Sequence, residues 1–256
     1  MYNYRNSKAN IVNILKSKTS IVEKNNIPAD HEFTYENGIK CWTSAIFVDI
    51  KSSSELFKNM DEKLARLLRA FTSEIITIFQ DFNKYNQIGI RGDCVYAIYS
   101  TPKQGDVCSV FHTAIMVNTF MKMFNTLLKN NGYPNIGVGI GLGCGKELIV
   151  KAGRSGTGIN DKIWIGDAIV DAANLSSIAN RNNHKKISMS EDFYYNISHS
   201  NYKDKDWFSK SEQDDVTFYE CDVINLDFNK WIDGGMKDVG WRKSESQYAD
   251  NQRTNR

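Results

Sequence analysis

Little in the sequence would mark a secreted, membrane-bound or zinc-built protein. No apolar run approaches the ~20 residues needed to cross a bilayer. The opening residues, Met1-Tyr2-Asn3-Tyr4-Arg5-Asn6-Ser7, are polar and do not begin a secretory signal. The five cysteines (Cys41, Cys94, Cys108, Cys144, Cys221) are odd in number, widely spaced and free of any C-x-x-C. That argues against a Cys-type zinc site and reads as reduced thiols in a cytosolic protein. The four histidines (His31, His112, His184, His199) fall in no metal-ligand spacing and read as solvated or core residues. Three prolines in 256 residues, with no Gly/Ser/Pro-rich stretch and no internal repeat, leave no sign of a linker. Nor is there an excess of one charge. With 32 basic and 30 acidic residues the net charge is +2, so charge alone points to neither nucleic acid nor a membrane surface. What remains, 41% hydrophobic and 24% charged, is the composition of an ordinary globular chain.

Apolar spacing divides the chain into a 1–40 N-terminal helical arm, a 41–225 main domain and a 226–256 extension whose polar end is expected to be disordered. In the arm, Ile11, Ile14, Leu15, Ile21 and Val22 suggest a helix before Pro28. Cys41–Ile50 is nearly continuous and apolar, as a strand buried on both faces would be. Ser53 or Ser54 can cap a helix over 54–82 carrying Leu56, Leu64, Leu67, Phe71, Ile75 and Phe79. Gln87–Arg91 and Cys94–Tyr99 flank Gly92-Asp93 as a hairpin. A helix over 105–130 follows and ends at Gly132 and Pro134. Glycine then alternates through Ile136–Gly143, a strand with one bare face open to close approach, which is expected to turn back through Glu147–Lys151. A helix from Asp167 to about Asn180 and strands near Lys186–Met189 and Val216–Cys221 complete the pattern. The order β-α-β-β-α-β predicts an α+β, ferredoxin-like antiparallel sheet with flanking helices.

Two carboxylates stand out. Asp49 ends an apolar strand, where an unpaired charge is costly. Asp93 tips the hairpin that can lie beside it. With no His or Cys nearby, such a pair suits a hard cation, Mg²⁺ or Mn²⁺. From spacing alone the plainer reading, a helix cap and a turn residue, stays open. The run Lys51-Ser52-Ser53-Ser54 adds hydroxyls and N–H groups at a helix start, where phosphate binds readily.

These residues resemble the class III nucleotidyl cyclases. Phe47-x-Asp49-Ile50 looks like their first metal motif and Gly92-Asp93-Cys94-x-Tyr96 their second. Ile136-x-Val138-Gly139-Ile140-x-Leu142-Gly143 and Gly166-x-x-Ile169-x-x-Ala172-x-x-Leu175 look like the glycine strand and following helix. The resemblance spans roughly residues 42–222. It implies two Mn²⁺ or Mg²⁺ ions per site, held by Asp49, the Ile50 carbonyl and Asp93. Phe47, Lys51, Ser52, Ser53, Ser54 and Arg91 would contact a nucleoside triphosphate. It further implies attack of the ribose 3′-hydroxyl on the α-phosphorus with loss of pyrophosphate, at sites shared across a homodimer.

The departures from the family pattern are as informative. Gly89 and Ile163 stand where purine cyclases carry their base-selecting side chains. Val170 replaces the ribose-orienting asparagine, and Asn174 replaces the transition-state arginine. Arg91, Arg154, Arg181, Lys203 and Lys205 are the candidate substitute cations. Such losses resemble the bacterial pyrimidine cyclases of the Pycsar anti-phage system. They imply a cytoplasmic enzyme making cyclic CMP or cyclic UMP for a separate effector protein, without nucleic acid or membrane as partner. Asp161 and Asp167 could accept from a cytosine amino group, which tilts the expectation towards CTP. An adenylate cyclase with an altered base pocket and a catalytically silent cyclase-like module are the competing readings.

Overall fold

The computed structural model describes residues 2–58, 60–154, 156–202 and 206–237. In chain order the elements are α1 (Tyr4–Lys16), β1 (Ser20–Glu23), β2 (Asn37–Ile50), α2 (Ser53–Leu56), α3 (Glu62–Asp81), β3 (Tyr85–Arg91), β4 (Cys94–Ser100), α4 (Gln104–Asn130), β5 (Val138–Gly153), β6 (Asn160–Ile165), α5 (Asp167–Ile178), β7 (Ile187–Met189), α6 (Glu191–Ser198), β8 (Ser209–Gln213), β9 (Val216–Cys221) and α7 (Leu226–Asp233). Among the described residues one sheet runs β3-β4-β2-β5-β7-β9-β8, with β1 added to β2 and β6 to β5. It is mixed: most pairs are antiparallel, but β1–β2 and β5–β7 are parallel.

Strand alternation sorts the core. Ile46, Val48 and Ile50 of β2 join Leu67, Phe71, Ile75 and Phe79 of α3 and the buried face of α4 in the main cluster. Ala45 and Phe47 point the other way, to Ala172 of α5. In α4, an 18-residue window reaches a mean hydropathy of 1.3, enough by length and composition to cross a membrane, but 67% of it is buried in the fold. It is the central core helix, a longer apolar stretch than the sequence reading allowed.

Several expectations are corrected. Ile21 and Val22 lie in β1, opposite Gly38 and Ile39, not in a helix. The 54–82 helix is broken: α2 is one turn, and α3 starts afresh because Asp61 accepts from Leu64 N–H at 2.8 Å. Neither Ser53 nor Ser54 is a cap; Ser52, at φ 58°, holds that position without a side-chain bond. β5 does not turn at Glu147. β2 pairs with it from Ile50↔Val138 to Gly38↔Val150, and a continuous ladder leaves no turn to make. Strand β6 and three further elements were not anticipated. α6 carries Phe193 and Ile197 inward, β8 is a wholly polar edge strand, and α7 docks Ile232 and ties Asp233 to Lys122 of α4 at 2.5 Å. The end of the 226–256 extension lies outside the described residues.

Helix α5 rests directly on β5. A Cβ at Gly141 would stand 2.0 Å from the Ala172 carbonyl oxygen, and one at Gly143 2.1 Å from that of Ala168. Helix backbone thus occupies the bare face. Buried Glu147 completes the seat: its Oε1 accepts from Ala168 N–H at 2.9 Å, while Oε2 is buried without a hydrogen-bond partner among the described residues. Burial lifts the Glu147 carboxyl above its ordinary value; Asp167 and Asp171 push the same way, and the Ala168 N–H opposes them. A raised folded-state value means the fold holds that proton more tightly than the unfolded chain. Its contribution is therefore full at acid pH and is lost as pH rises through the folded-state value. Glu147→Gln keeps the acceptor for Ala168 and removes the charge. In thermal melts between about pH 5 and 8 the variant should gain on the wild type as pH rises. A constant offset across that range would refute a role for ionisation.

Candidate active site

The register of β2 builds the site. Asp49 faces Cys94 on β4, which places it beside Asp93 in the Gly92-Asp93 turn, and faces Gly139 on β5. Gly92 takes φ 63°, the left-handed conformation that the tight hairpin requires. The two carboxylates feel each other. Burial is the largest cause raising the Asp49 carboxyl, the Asp93 charge adds to it, and Arg181 opposes both.

Arg181, just beyond α5, bridges helix and site. Its Nη2 donates to Asp49 Oδ2 at 2.7 Å and to the Ile50 carbonyl at 3.3 Å. Its Nη1 donates to the carbonyls of Ser176 at 2.9 Å and Ala179 at 3.0 Å, capping the end of the helix. The donor set of Asp49, Asp93 and the Ile50 carbonyl is all oxygen, as Mg²⁺ and Mn²⁺ prefer. The guanidinium on Asp49 and Ile50 shows that these two oxygens already converge on one positive charge. The residues present therefore fit a divalent cation.

One prediction follows from that bridge. In Arg181→Ala the half-buried Asp49 loses its counter-charge, a loss on the order of 1–3 kcal/mol. The metal-free protein should melt several degrees lower, and added Mn²⁺ should raise its melting temperature by more than it raises that of the wild type. Equal Mn²⁺ shifts in both proteins would show that Arg181 and the cation do not compete.

The other expected residues divide. Phe47 is buried and stacks on Tyr96, with ring centroids 5.0 Å apart. Lys51 is exposed, its N–H bound to the Gly137 carbonyl at 2.8 Å. Ser52, Ser53 and Ser54 begin only the one-turn α2, so the phosphate-binding helix start expected there has little helix dipole behind it. Arg91 is exposed at the hairpin and Arg154 in the β5–β6 connection. Of the three candidate arginines, Arg181 is the one bonded to Asp49. Lys203 and Lys205 lie outside the described residues. Asn174 lines a cleft with Asp167, Asp171, Ser190 and Asp192, and neither Asp49 nor Asp93 lines it. Val170 is exposed on the same helix. Asp161 is exposed and accepts from Lys162 N–H at 2.7 Å. Over Gly89 lies the Tyr96 ring; a Cβ there would meet it at 2.5 Å. Gln87 of β3 and Trp164 of β6, joined by a side-chain hydrogen bond of 3.0 Å although their strands do not pair, belong to no motif.

The backbone is that of a class III nucleotidyl cyclase catalytic domain. It superposes on the adenylyl cyclase CyaB from P. aeruginosa with a TM-score of 0.62 at 20% identity, covering 74% of this chain and 98% of that one. Sequence narrows the class. The chain is 45% identical over 240 residues to a uridylate cyclase of Treponema porcinum, spanning 93% of this chain and 83% of that protein. It is 33% identical over 186 residues to a uridylate cyclase of Gulbenkiania mobilis, spanning 70% and 72%. No family model matches the chain. On this similarity the chain belongs to the pyrimidine cyclase family within the class III nucleotidyl cyclases.

Proposed function

We propose that this chain is a uridylate cyclase, converting UTP to cyclic UMP and pyrophosphate. The convergence of Asp49, the Ile50 carbonyl and Asp93 at the end of β2 beside the β3–β4 turn carries the reading. That both relatives are uridylate cyclases supports UTP over the CTP that Asp161 and Asp167 suggested. Two Mn²⁺ or Mg²⁺ ions held there would make the ribose 3′-hydroxyl a better nucleophile and neutralise the triphosphate.

The chain itself orients and balances charge. Asp49 and Asp93, on separate strands, fix the donor oxygens. Lys51 and the N–H and hydroxyl groups of Ser52, Ser53 and Ser54 follow directly on β2 and would serve the phosphates, with Arg91 contributed by the end of β3. Asn174 cannot carry the positive charge of the arginine it replaces, and Arg181 is the cation already beside Asp49. The active unit is a homodimer. Ile90, Ile163, Ile165 and Val170 are each about half exposed, apolar surface that a second copy would cover. Asn174 of α5 lines a cleft that neither Asp49 nor Asp93 of its own chain lines, so it would complete a site in that arrangement. The product serves in the cytoplasm as a second messenger of anti-phage defence and is read by a separate effector.

The test is direct. Purified protein is incubated with Mn²⁺ and each of ATP, GTP, CTP and UTP, and the products are identified by mass. Cyclic UMP should dominate. Cyclic AMP as main product would sink the pyrimidine reading, and no product at all would favour a catalytically silent module.

A further inference from the structure

Phe47 and Tyr96 form an aromatic platform one strand repeat from Asp49 and on the same face of the sheet, since Phe47 pairs with Tyr96 as Asp49 pairs with Cys94. A repeat of two residues is about 7 Å, the scale of one nucleoside unit. The half-buried Tyr96 phenol belongs to a hydrogen-bonded chain. Its oxygen accepts from Gln87 Nε2 at 3.2 Å, and Gln87 Oε1 accepts from Trp164 Nε1 at 3.0 Å. The indole N–H can only donate, so it fixes which end of the Gln87 amide faces it. The NH₂ group must then face Tyr96 and occupy a lone pair of the phenol. The Tyr96 O–H proton is left to donate outwards.

We propose that Tyr96 is a base-reading hydrogen-bond donor, held in that sense by Gln87 and Trp164 as positioning residues. It selects a base that presents a carbonyl, the 4-oxo group of uracil, over one that presents the 4-amino group of cytosine. A donor facing a donor leaves both unpaired, and an unpaired polar group in a closed pocket is costly. The inference rests on the proposed cyclase reading and adds to it the side chain that separates two pyrimidines.

The test measures kcat/KM for UTP and for CTP in the wild type, Tyr96→Phe, Gln87→Glu and Trp164→Phe, with thermal melts to confirm folding. A carboxylate at position 87 has no N–H to give. It would accept from both Trp164 and Tyr96, draw the phenol proton inwards and turn a lone pair towards the base. Gln87→Glu should therefore lower the UTP:CTP preference about tenfold or more, with CTP turnover rising. Tyr96→Phe should bring the ratio towards parity, and Trp164→Phe should fall between. Should Gln87→Glu fail to fold, Tyr96→Phe decides, since it removes one half-buried oxygen. A folded Tyr96→Phe with the wild-type ratio would overturn the inference while leaving the cyclase reading intact. A wild type that cyclises no pyrimidine nucleotide would overturn that reading, and this inference with it.

Discussion

Asp93→Ala should cut Mn²⁺-dependent cyclisation by about 10²–10³-fold or more while leaving the protein at least as stable as the wild type. The two halves of that expectation have one cause. Asp93 stands next to Asp49, and its charge helps to raise the Asp49 carboxyl above its usual range. Without a cation, two neighbouring carboxylates repel, so deleting one relieves the metal-free fold. With cations present, the same deletion removes a donor from the set on which the charge balance of the reaction depends. Asp49→Asn should lose activity to the same degree but melt lower, because Arg181 then keeps its bonds to Ser176, Ala179 and Ile50 with no carboxylate to face. Turnover measured beside thermal melts separates these outcomes. An Asp93→Ala protein with full activity would remove the two-metal mechanism, and one that loses activity and melting temperature together would make Asp93 a structural turn residue.

Gly141→Val is expected to prevent stable folding. The new side chain would begin 2.0 Å from the Ala172 carbonyl and 2.3 Å from the Ser176 nitrogen, both of them helix backbone, which cannot rotate aside. Helix α5 would have to lift from β5, breaking the contacts of Ala168, Ala172 and Leu175 and carrying Arg181 off Asp49. Overpacking usually costs about 1–3 kcal/mol, but with backbone on both sides several kcal/mol, on the order of 3–5, is expected here. Gly145, where an added Cβ meets nothing nearer than 3.8 Å, is the control on the same strand and face. Gly145→Ala should melt close to the wild type. Circular dichroism melts of the pair decide the matter: a Gly141→Val protein with wild-type stability would show that the helix does not sit as described.

Part of this was legible in the sequence because the signal was local. A run such as Ala45–Ile50 can hardly be anything but a buried strand, and glycine at every second position from 137 to 143 announces a surface that something must approach. That Asp49 and Asp93 meet followed from strand order once the hairpin at Gly92-Asp93 was recognised. What stayed hidden depends on partners far along the chain. β5 reads as a hairpin near Glu147 until the long β2 is known to run beside it. Arg181 was one of several cations without a place, because no spacing rule links a residue after α5 to a carboxylate on β2. β8 has no apolar alternation at all, since an edge strand needs only backbone pairing. Gln87 and Trp164 act through hydrogen-bond polarity, which leaves no periodic trace.

The central ladder has a consequence for how the chain reaches its native state. β2 is synthesised early, yet its partner β5 lies roughly a hundred residues later, and non-local pairing of that kind closes slowly. In the interval α4 has been made and is greasy enough to resemble a bilayer anchor, while β5, α6 and α7, which pack on it, are not yet made. Newly made chains should therefore pass through a sticky intermediate. Refolding yield should fall steeply with protein concentration and recover when a holdase chaperone is supplied.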